Sequence, residues 1–496
     1  MKGTGQTHRR IVTALGAALL ALSSVAGPAV ARVMERDPAS AGGRPDAERL
    51  LESGRELREA GDSPAASADF AAAGRLLIAV GDLDGAVEAF AEAARLRNLD
   101  GDRDGAYAVL ESGGALLEAE GPQARTAASR TVNAMARMRI TQGRYEEALV
   151  LLDRVEALQG EAPAPLDRAA LLFDRSQSLV YLNRAVEAEA AARASLELRL
   201  AHLGPHHPDV ARTLNSLGIC LYYQGRFEEA DRTYRDAVTV FEVAGGAEDE
   251  NLSITLSNLG NVLQRLGRLE AAEPIYRRAV RMAEESGDRQ MLGVNLVNLG
   301  WQLRLMGRSA DADPVFRRAV DVLTAAVGPN HWFTGIAVAN VGLVLSDQGR
   351  YAEAEPLFVE ALTALEPALG ADSPDMLITL DGYALTLARL GRHEEAEVLY
   401  GRALNIARTG LVTGHPETTR QAVSVARFLI DQGRHAEARA ALDQAQSGVF
   451  DRIVSSAERR QVALRNAQSL FRTQVRAGWA LAQAVDTGEN SALRAP

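Results

Sequence analysis

One residue pattern restricts this chain more than any other: a glycine that returns at Gly225, Gly267, Gly307, Gly349, Gly391 and Gly433, with spacings of 42, 40, 42, 42 and 42. A small residue precedes it at Gly218, Gly260, Gly300, Gly342, Ala384 and Ala426. Another follows at Ala230, Ala272, Ala312, Ala354, Ala396 and Ala438, and a large one at Tyr234, Tyr276, Phe316, Phe358, Tyr400 and Leu442. Marks that repeat at one period are the signature of a helical repeat array. The stretch from Leu203 to Val243 shows one unit. Pro208 suits a first helical position, where its missing N–H is not needed. Leu214, Leu217, Gly218 and Leu221 then fall on one helical face. Gly225 ends that helix, and a second follows with Ala230, Tyr234 and Ala237 on its inner face. Small residues at Gly218 and Ala230 allow two antiparallel helices to approach closely, with Tyr234 filling the space beside them.

The same phase runs backwards. Gly61, Gly101, Gly143 and Asn183 are within-repeat turns at spacings of 40, 42 and 40, and Asn183 to Gly225 is 42. Ala66, Ala106, Ala148 and Ala188 keep the small position five residues after each turn. Asparagine suits the Asn183 site because it tolerates a left-handed backbone. Ten hairpins result, from about residue 46 to about 446. Gly81 also serves as a repeat centre, which leaves two registers open at the N-terminal end.

The pattern resembles the tetratricopeptide repeat, whose common form has about 34 residues. The longer unit here opens on G-x-x-H-P and carries a T-L-x-N-L-G helix, which resembles the variant of kinesin light chains and related bacterial proteins. The expected fold is an all-α, right-handed α-solenoid of about ten antiparallel helix hairpins. In domain terms, 1–31 reads as a signal peptide and 32–45 as a flexible leader. N-terminal repeats take 46–202 and C-terminal repeats 203–446; a capping helical segment follows at 447–485 and a polar tail at 486–496.

The signal reading rests on Lys2, Arg9 and Arg10, the apolar run Ile11 to Val30, and the A-x-A pattern Ala29-Val30-Ala31. The alternative is an uncleaved anchor, since the run approaches spanning length. The export reading places the chain in the periplasm or outside the cell. Net charge is −11; removing residues 1–31 with their three positive charges takes it to −14. That balance argues against nucleic acid, whose binding rests on neutralising phosphates. After cleavage no membrane partner is expected either. Lysine is absent after Lys2, so neither a Walker A loop nor a Schiff-base lysine is possible in the remainder. The single cysteine, Cys220, forms no internal disulfide and reads as a small core residue.

Three local patterns need weighing. His202, His206 and His207 suggest a metal, but His207-Pro208 aligns with His331-Trp332, Ser373-Pro374 and His415-Pro416. The position belongs to the loop between hairpins, where the side chain caps or packs, and no metal or cofactor is expected. Acid pairs such as Glu146-Glu147, Glu228-Glu229 and Glu394-Glu395 each follow a turn glycine by the same offset. They sit at helix N-termini, where carboxylates favour the dipole, with turn arginines as counter-charges. Asn258, Asn298 and Asn340 recur two residues before the small glycine, with Asn215 and Asn261 on neighbouring positions.

In the family that the repeats resemble, the first helix of each hairpin lines a concave groove, and such asparagines hold an extended peptide. An amide offers donor and acceptor together. The alternative is a structural ladder of asparagines between repeats. Trp301 and Arg304 follow Asn298 on the same surface, with Tyr222 and Arg265 at related places; aromatics and arginines are common interface anchors. Trp301 could equally fill a gap between repeats. The candidate peptide-binding residues are therefore Asn215, Tyr222, Asn258, Asn261, Arg265, Asn298, Trp301, Arg304 and Asn340.

No catalytic residue stands out. The leading expectation is a non-catalytic scaffold for a protein or peptide partner. The second is the regulatory arm of a caspase-like CHAT protease system, from a likeness in residues 450–471 to the helical region that follows repeats in such proteins. A third is an enzyme using Cys220.

Overall fold

The computed structural model describes residues 43–245, 250–410 and 416–443, and Thr473. The signal, most of the leader, His415, the tail and all of the 447–485 segment except Thr473 lie outside the described residues. Every regular element among those residues is helical.

The helices pair as hairpins around the expected turns. The N-terminal pairs are α1 (Gly43–Glu59) with α2 (Ser63–Ala79), α3 (Leu83–Leu99) with α4 (Arg103–Ala119), and α5 (Arg125–Thr141) with α6 (Tyr145–Gln159). Next come α7 (Pro165–Tyr181) with α8 (Ala185–Leu203), and α9 (Pro208–Tyr223) with α10 (Phe227–Val243). The C-terminal pairs are α11 (Glu250–Arg265) with α12 (Leu269–Ser286), α13 (Arg289–Leu305) with α14 (Ser309–Val327), and α15 (Trp332–Asp347) with α16 (Tyr351–Leu369). Last are α17 (Leu377–Arg389) with α18 (His393–Gly410), and α19 (Pro416–Asp431) with helical residues 435–443. The first described helix starts at Gly43, earlier than the Pro/Gly composition suggested, because Pro45 falls in the first turn, where no N–H is required.

The turn glycines all have positive φ, from Gly61 at 82° to Gly433 at 75°, and Asn183 at 68° is the one described non-glycine residue that shares the conformation. The left-handed residue lets the following N–H reach back to the last helical turn, as Arg308 N does to the Leu303 carbonyl at 2.9 Å and Arg184 N to Leu179 at 2.9 Å.

Contacts divide the chain into two compact units. Among the described residues, one contains 43–224 together with 232–245, and the other contains 225–231 and those from 250 onward. Each is a stack of antiparallel hairpins built on one interlock: the small residue of a hairpin's first helix receives the large residue of its second. A Cβ at Gly218 would lie 2.6 Å from the Tyr234 ring, and one at Gly300 would lie 2.7 Å from Phe316. Both rings are buried, as are the alanines after each turn. Cys220 is fully buried on α9, and burial pushes its thiol up to about 12.

The two registers at the N-terminal end are both real. Gly54 meets Phe70 across Gly61, and Gly74 meets Phe90 across Gly81. Ala66 and Ala86 are equally buried. From α1 to α3, successive helices therefore interlock alike, and the distinction between a hairpin and the junction of two hairpins disappears.

The acid pairs form a recurring clamp. At seven of the ten turns the arginine that follows bonds the acid three residues on, as Arg226 to Glu229 at 2.6 Å, Arg350 to Glu353 at 2.7 Å and Arg434 to Glu437 at 2.7 Å. In the C-terminal unit the same arginine also reaches back to the preceding hairpin, as Arg268 to Asp231 at 2.9 Å, Arg308 to Glu273 at 2.9 Å and Arg434 to Glu397 at 2.7 Å. The sequence reading foresaw the first leg. It missed the second, which ties one repeat to the next.

Candidate functional site

The expected site residues belong to the first helices of successive hairpins, and each unit holds its own share.

In the C-terminal unit, Asn258, Asn298 and Asn340 stand nine residues before their turns, on α11, α13 and α15. Asn258 is half-buried. Asn340 is 7% exposed and its Nδ2 donates to the Ile336 carbonyl at 2.9 Å. Asn298 is 6% exposed, and its Nδ2 is buried with no hydrogen-bond partner. Leaving a buried donor unmade costs about 1–3 kcal/mol. Three residues on, Asn261 accepts from the Tyr276 hydroxyl at 2.7 Å. Trp301 occupies the equivalent place on α13 and stays half-buried. Arg304 stacks 5.1 Å from its ring and forms a two-pronged bond to Asp347 at 2.6 and 3.0 Å. Arg265 is exposed at the end of α11. Asn298, Trp301 and Arg304 thus follow one another at three-residue spacing on α13, with the indole covered by a guanidinium that Asp347 fixes.

A polar ladder does join the first helices, but through other residues. Ser257 Oγ donates to Asn295 Oδ1 at 2.8 Å, and Asn295 Nδ2 donates to Ser253 Oγ and to the Ala279 carbonyl, each at 3.0 Å. Gln264 donates to Gln302 at 2.9 Å, and Ser346 pairs with Thr386 at 2.7 Å. Asn295 and Gln302 thus carry structural bonds between first helices. Neither recurs at the repeat period, so periodicity could not have marked them.

In the N-terminal unit, Asn215 and Tyr222 lie half-buried on α9, and Tyr222 packs edge-on against Tyr223 at 5.7 Å. A second cluster there went unseen in the sequence. Asp174 on α7 is 2% exposed and accepts from Asn133 Nδ2 at 2.7 Å and Arg137 Nε at 2.8 Å, both on α5. The Asp174 charge holds the half-exposed Arg137 firmly protonated against its own desolvation. Asn133 Oδ1 is buried without a donor. Together they offer a fixed guanidinium beside an unfilled acceptor, complementary to a peptide carbonyl and N–H. Arg137 recurs in register at Arg55, Arg95 and Arg427, and Asn133 at Asn215, but no other copy has an aspartate where Asp174 stands, so the trio does not announce itself as a repeat.

The loop histidines are caps. His207 Nδ1 accepts from Asp209 N at 3.1 Å, His331 Nδ1 from Phe333 N at 3.2 Å, and Ser373 Oγ does the same for Asp375 N at 3.3 Å. Among the described residues no group of three His, Cys, Asp or Glu side chains could hold a metal ion. No described helix is long and apolar enough to cross a membrane.

Models of the tetratricopeptide repeat match residues 167–242, 251–325 and 335–409, and a second such model matches 129–154 and 425–444. Together these cover more than half of the chain. No curated protein matches it in sequence. Among solved structures, a Rap protein complexed with competence and sporulation factor is 13% identical over 79% of this chain and 98% of its own, with a TM-score of 0.49. A tetratricopeptide repeat protein from Parabacteroides merdae is 17% identical over 61% and 99%, at 0.41. A putative kinesin light chain of Podosopora anserina, with nearly identical repeats, is 16% identical over 41% and 96%, at 0.33.

Proposed function

Because this chain belongs to the tetratricopeptide repeat family, whose hairpin arrays act as protein-interaction scaffolds, we propose that it is a non-catalytic scaffold that holds an extended peptide or partner segment along its first-helix faces. The protein works after export, in the periplasm or outside the cell, with the Lys2/Arg9/Arg10 segment as its signal. Its acidic balance speaks against nucleic acid as the partner.

The observation that carries this reading is Asn298. Its buried Nδ2 lacks an acceptor, in the middle of a row of asparagines and one helical turn from the half-buried Trp301. A backbone carbonyl of a bound segment would supply that acceptor, and the indole would cover the adjacent side chain. Asn133 and Arg137 in the other unit support it with the same chemistry, an unmade acceptor beside a held donor.

Cross-linking and mass spectrometry of proteins co-purified from the native periplasm identify the partner. The double variant N298A/W301A should lose that partner while circular dichroism shows unchanged helicity. Undiminished capture by a folded double variant would overturn the reading.

A further inference from the structure

The N-terminal unit holds an arginine that the scaffold reading leaves unused. Arg199 on α8 is 6% exposed. Its Nη1 donates to the Asp209 carbonyl at 2.9 Å and to Thr213 Oγ1 at 2.6 Å, both on α9. Its guanidinium lies 4.7 Å from the Phe173 ring on α7. Both acceptors are neutral, and among the described residues no carboxylate forms an ion pair with it. A buried charge without a close counter-charge is costly. Burial pulls the Arg199 pKa below the usual arginine value, and the charges of Arg137 and Arg212 pull the same way, against Asp209 and Asp174.

Arg137 on α5 belongs to the same group of charges, since Asp174 and Asp209 act on it too. It bonds Asp174 through Nε alone, and among the described residues its two terminal nitrogens make no hydrogen bond. Its side chain is 54% exposed, so these nitrogens are open to a ligand. One turn earlier, Asn133 is 6% exposed; its Nδ2 donates to the same Asp174 oxygen, and its Oδ1 has no donor. Arg212 is already paired with Asp209 at 2.6 Å, and Asp174 is shared by Asn133 and Arg137. Three arginines thus face two aspartates in a chain whose net charge is −11. The cluster lacks two things: an anion for the guanidinium groups and a hydrogen-bond donor for Asn133.

We propose that Arg137 and Arg199 bind one inorganic phosphate ion, whose remaining O–H donates to Asn133 Oδ1. Guanidinium groups suit phosphate oxygens, to which they make charge-assisted bonds. The orphan acceptor selects among anions. A carboxylate or a sulfate is ionised at neutral pH and has no proton to give, whereas inorganic phosphate keeps one. A phosphate ester loses its last proton near about pH 6, so the free ion suits the site better than a phosphorylated side chain. The ion takes the acceptor that a partner's N–H would otherwise use, so phosphate opposes partner binding at this unit. The inference goes beyond the scaffold reading and is tested with no partner present.

The test uses the full chain, purified free of phosphate and sulfate and titrated in a calorimeter at neutral pH and constant ionic strength. Sodium phosphate should give one saturable site. Sulfate and O-phosphoserine should bind about tenfold or more weakly, because both leave the buried Asn133 acceptor unpaired. R137Q should weaken phosphate by about tenfold or more, as for loss of a charge-assisted bond. R199K keeps the charge and a donor for the Asp209 carbonyl but loses the fork, and should weaken phosphate severalfold. N133A should bring sulfate level with phosphate. Circular dichroism and melting temperature establish that each variant is folded. Absence of saturable phosphate binding would overturn the proposal. So would sulfate matching phosphate on the unaltered chain, or an affinity unmoved in folded R137Q and R199K. Tighter binding of O-phosphoserine than of phosphate would assign the site to a phosphorylated partner and overturn it as well.

Discussion

The interlock between small and large residues makes Gly300→Ala an informative perturbation. A Cβ there would sit 2.7, 2.8 and 2.8 Å from three atoms of the Phe316 ring. Carbon atoms prefer about 3.5–4.0 Å, so the ring must retreat by about 0.7 Å or more. Phe316 is fully buried, so its ring moves only at the expense of its neighbours' packing. Overpacking of this kind costs about 1–3 kcal/mol, offset by about 1 kcal/mol of helix propensity gained on replacing glycine. The net expectation is a loss of about 1 kcal/mol. The chain also contains the remedy. Where the small residue is alanine, the large one is leucine at Ala94/Leu110, Ala136/Leu152 and Ala426/Leu442, all buried. Only Ala384/Tyr400 departs from this, and there the ring leans against Phe428, with centroids 5.2 Å apart. Phe316→Leu alone leaves a cavity and should cost about 1–2 kcal/mol. The double variant recreates the Ala/Leu pair and should cost clearly less than the sum, a coupling of about 1 kcal/mol or more. Repeat arrays need not unfold in one step, so the measurement is amide exchange along α13 and α14, with α3 and α4 as an internal reference. Strictly additive costs would refute the interlock as the determinant of hairpin packing.

His331 and Cys220 supply further expectations. The His331 ring caps α15 through a bare Nδ1, and burial holds its pKa below the usual histidine value. The neutral ring is thus favoured in the fold, and its stabilisation is complete above about pH 6.5 and lost as pH falls toward the lowered folded value. The fall in melting temperature between pH 7.5 and 5 should be smaller in H331S, which keeps a cap like the one Ser373 provides; an unchanged pH slope would count against the cap. The Cys220 thiol, buried and pushed up to about 12, should resist a thiol reagent at pH 8 in the folded protein and react fully in denaturant; rapid labelling of the native chain would show the α9 core to be open.

The contrast between what the sequence revealed and what it withheld follows from what a period can encode. A turn glycine, a small residue and an aromatic are required in every copy because each hairpin closes the same way. Their recurrence therefore located ten turns, including Asn183 at φ 68°, and the loop histidines as caps. Contacts between copies need only be complementary, and many chemistries satisfy that. Ser176 pairs with Ser216 at 2.9 Å, Ser346 with Thr386 at 2.7 Å, Gln264 with Gln302 at 2.9 Å, and Asn133 with Asp174 at 2.7 Å. All span about one repeat, yet no residue type is shared by all of them, so alignment of copies averages them away. The asparagine row shows the converse hazard. Its period is as regular as that of the glycines, yet its members have different surroundings: Asn340 bonds its own helix, and Asn298 has an empty donor. Regularity at a position thus reports that the fold presents that position repeatedly. Local exceptions distinguish one copy from the next, and among the described residues they include buried polar atoms left without partners at Asn133, Gln159, Asn298, Asp381, Gln421 and His435. Each costs folding free energy, and in a fold assembled from near-identical copies it is these irregular positions, and not the repeated ones, where a bound segment would recover that cost.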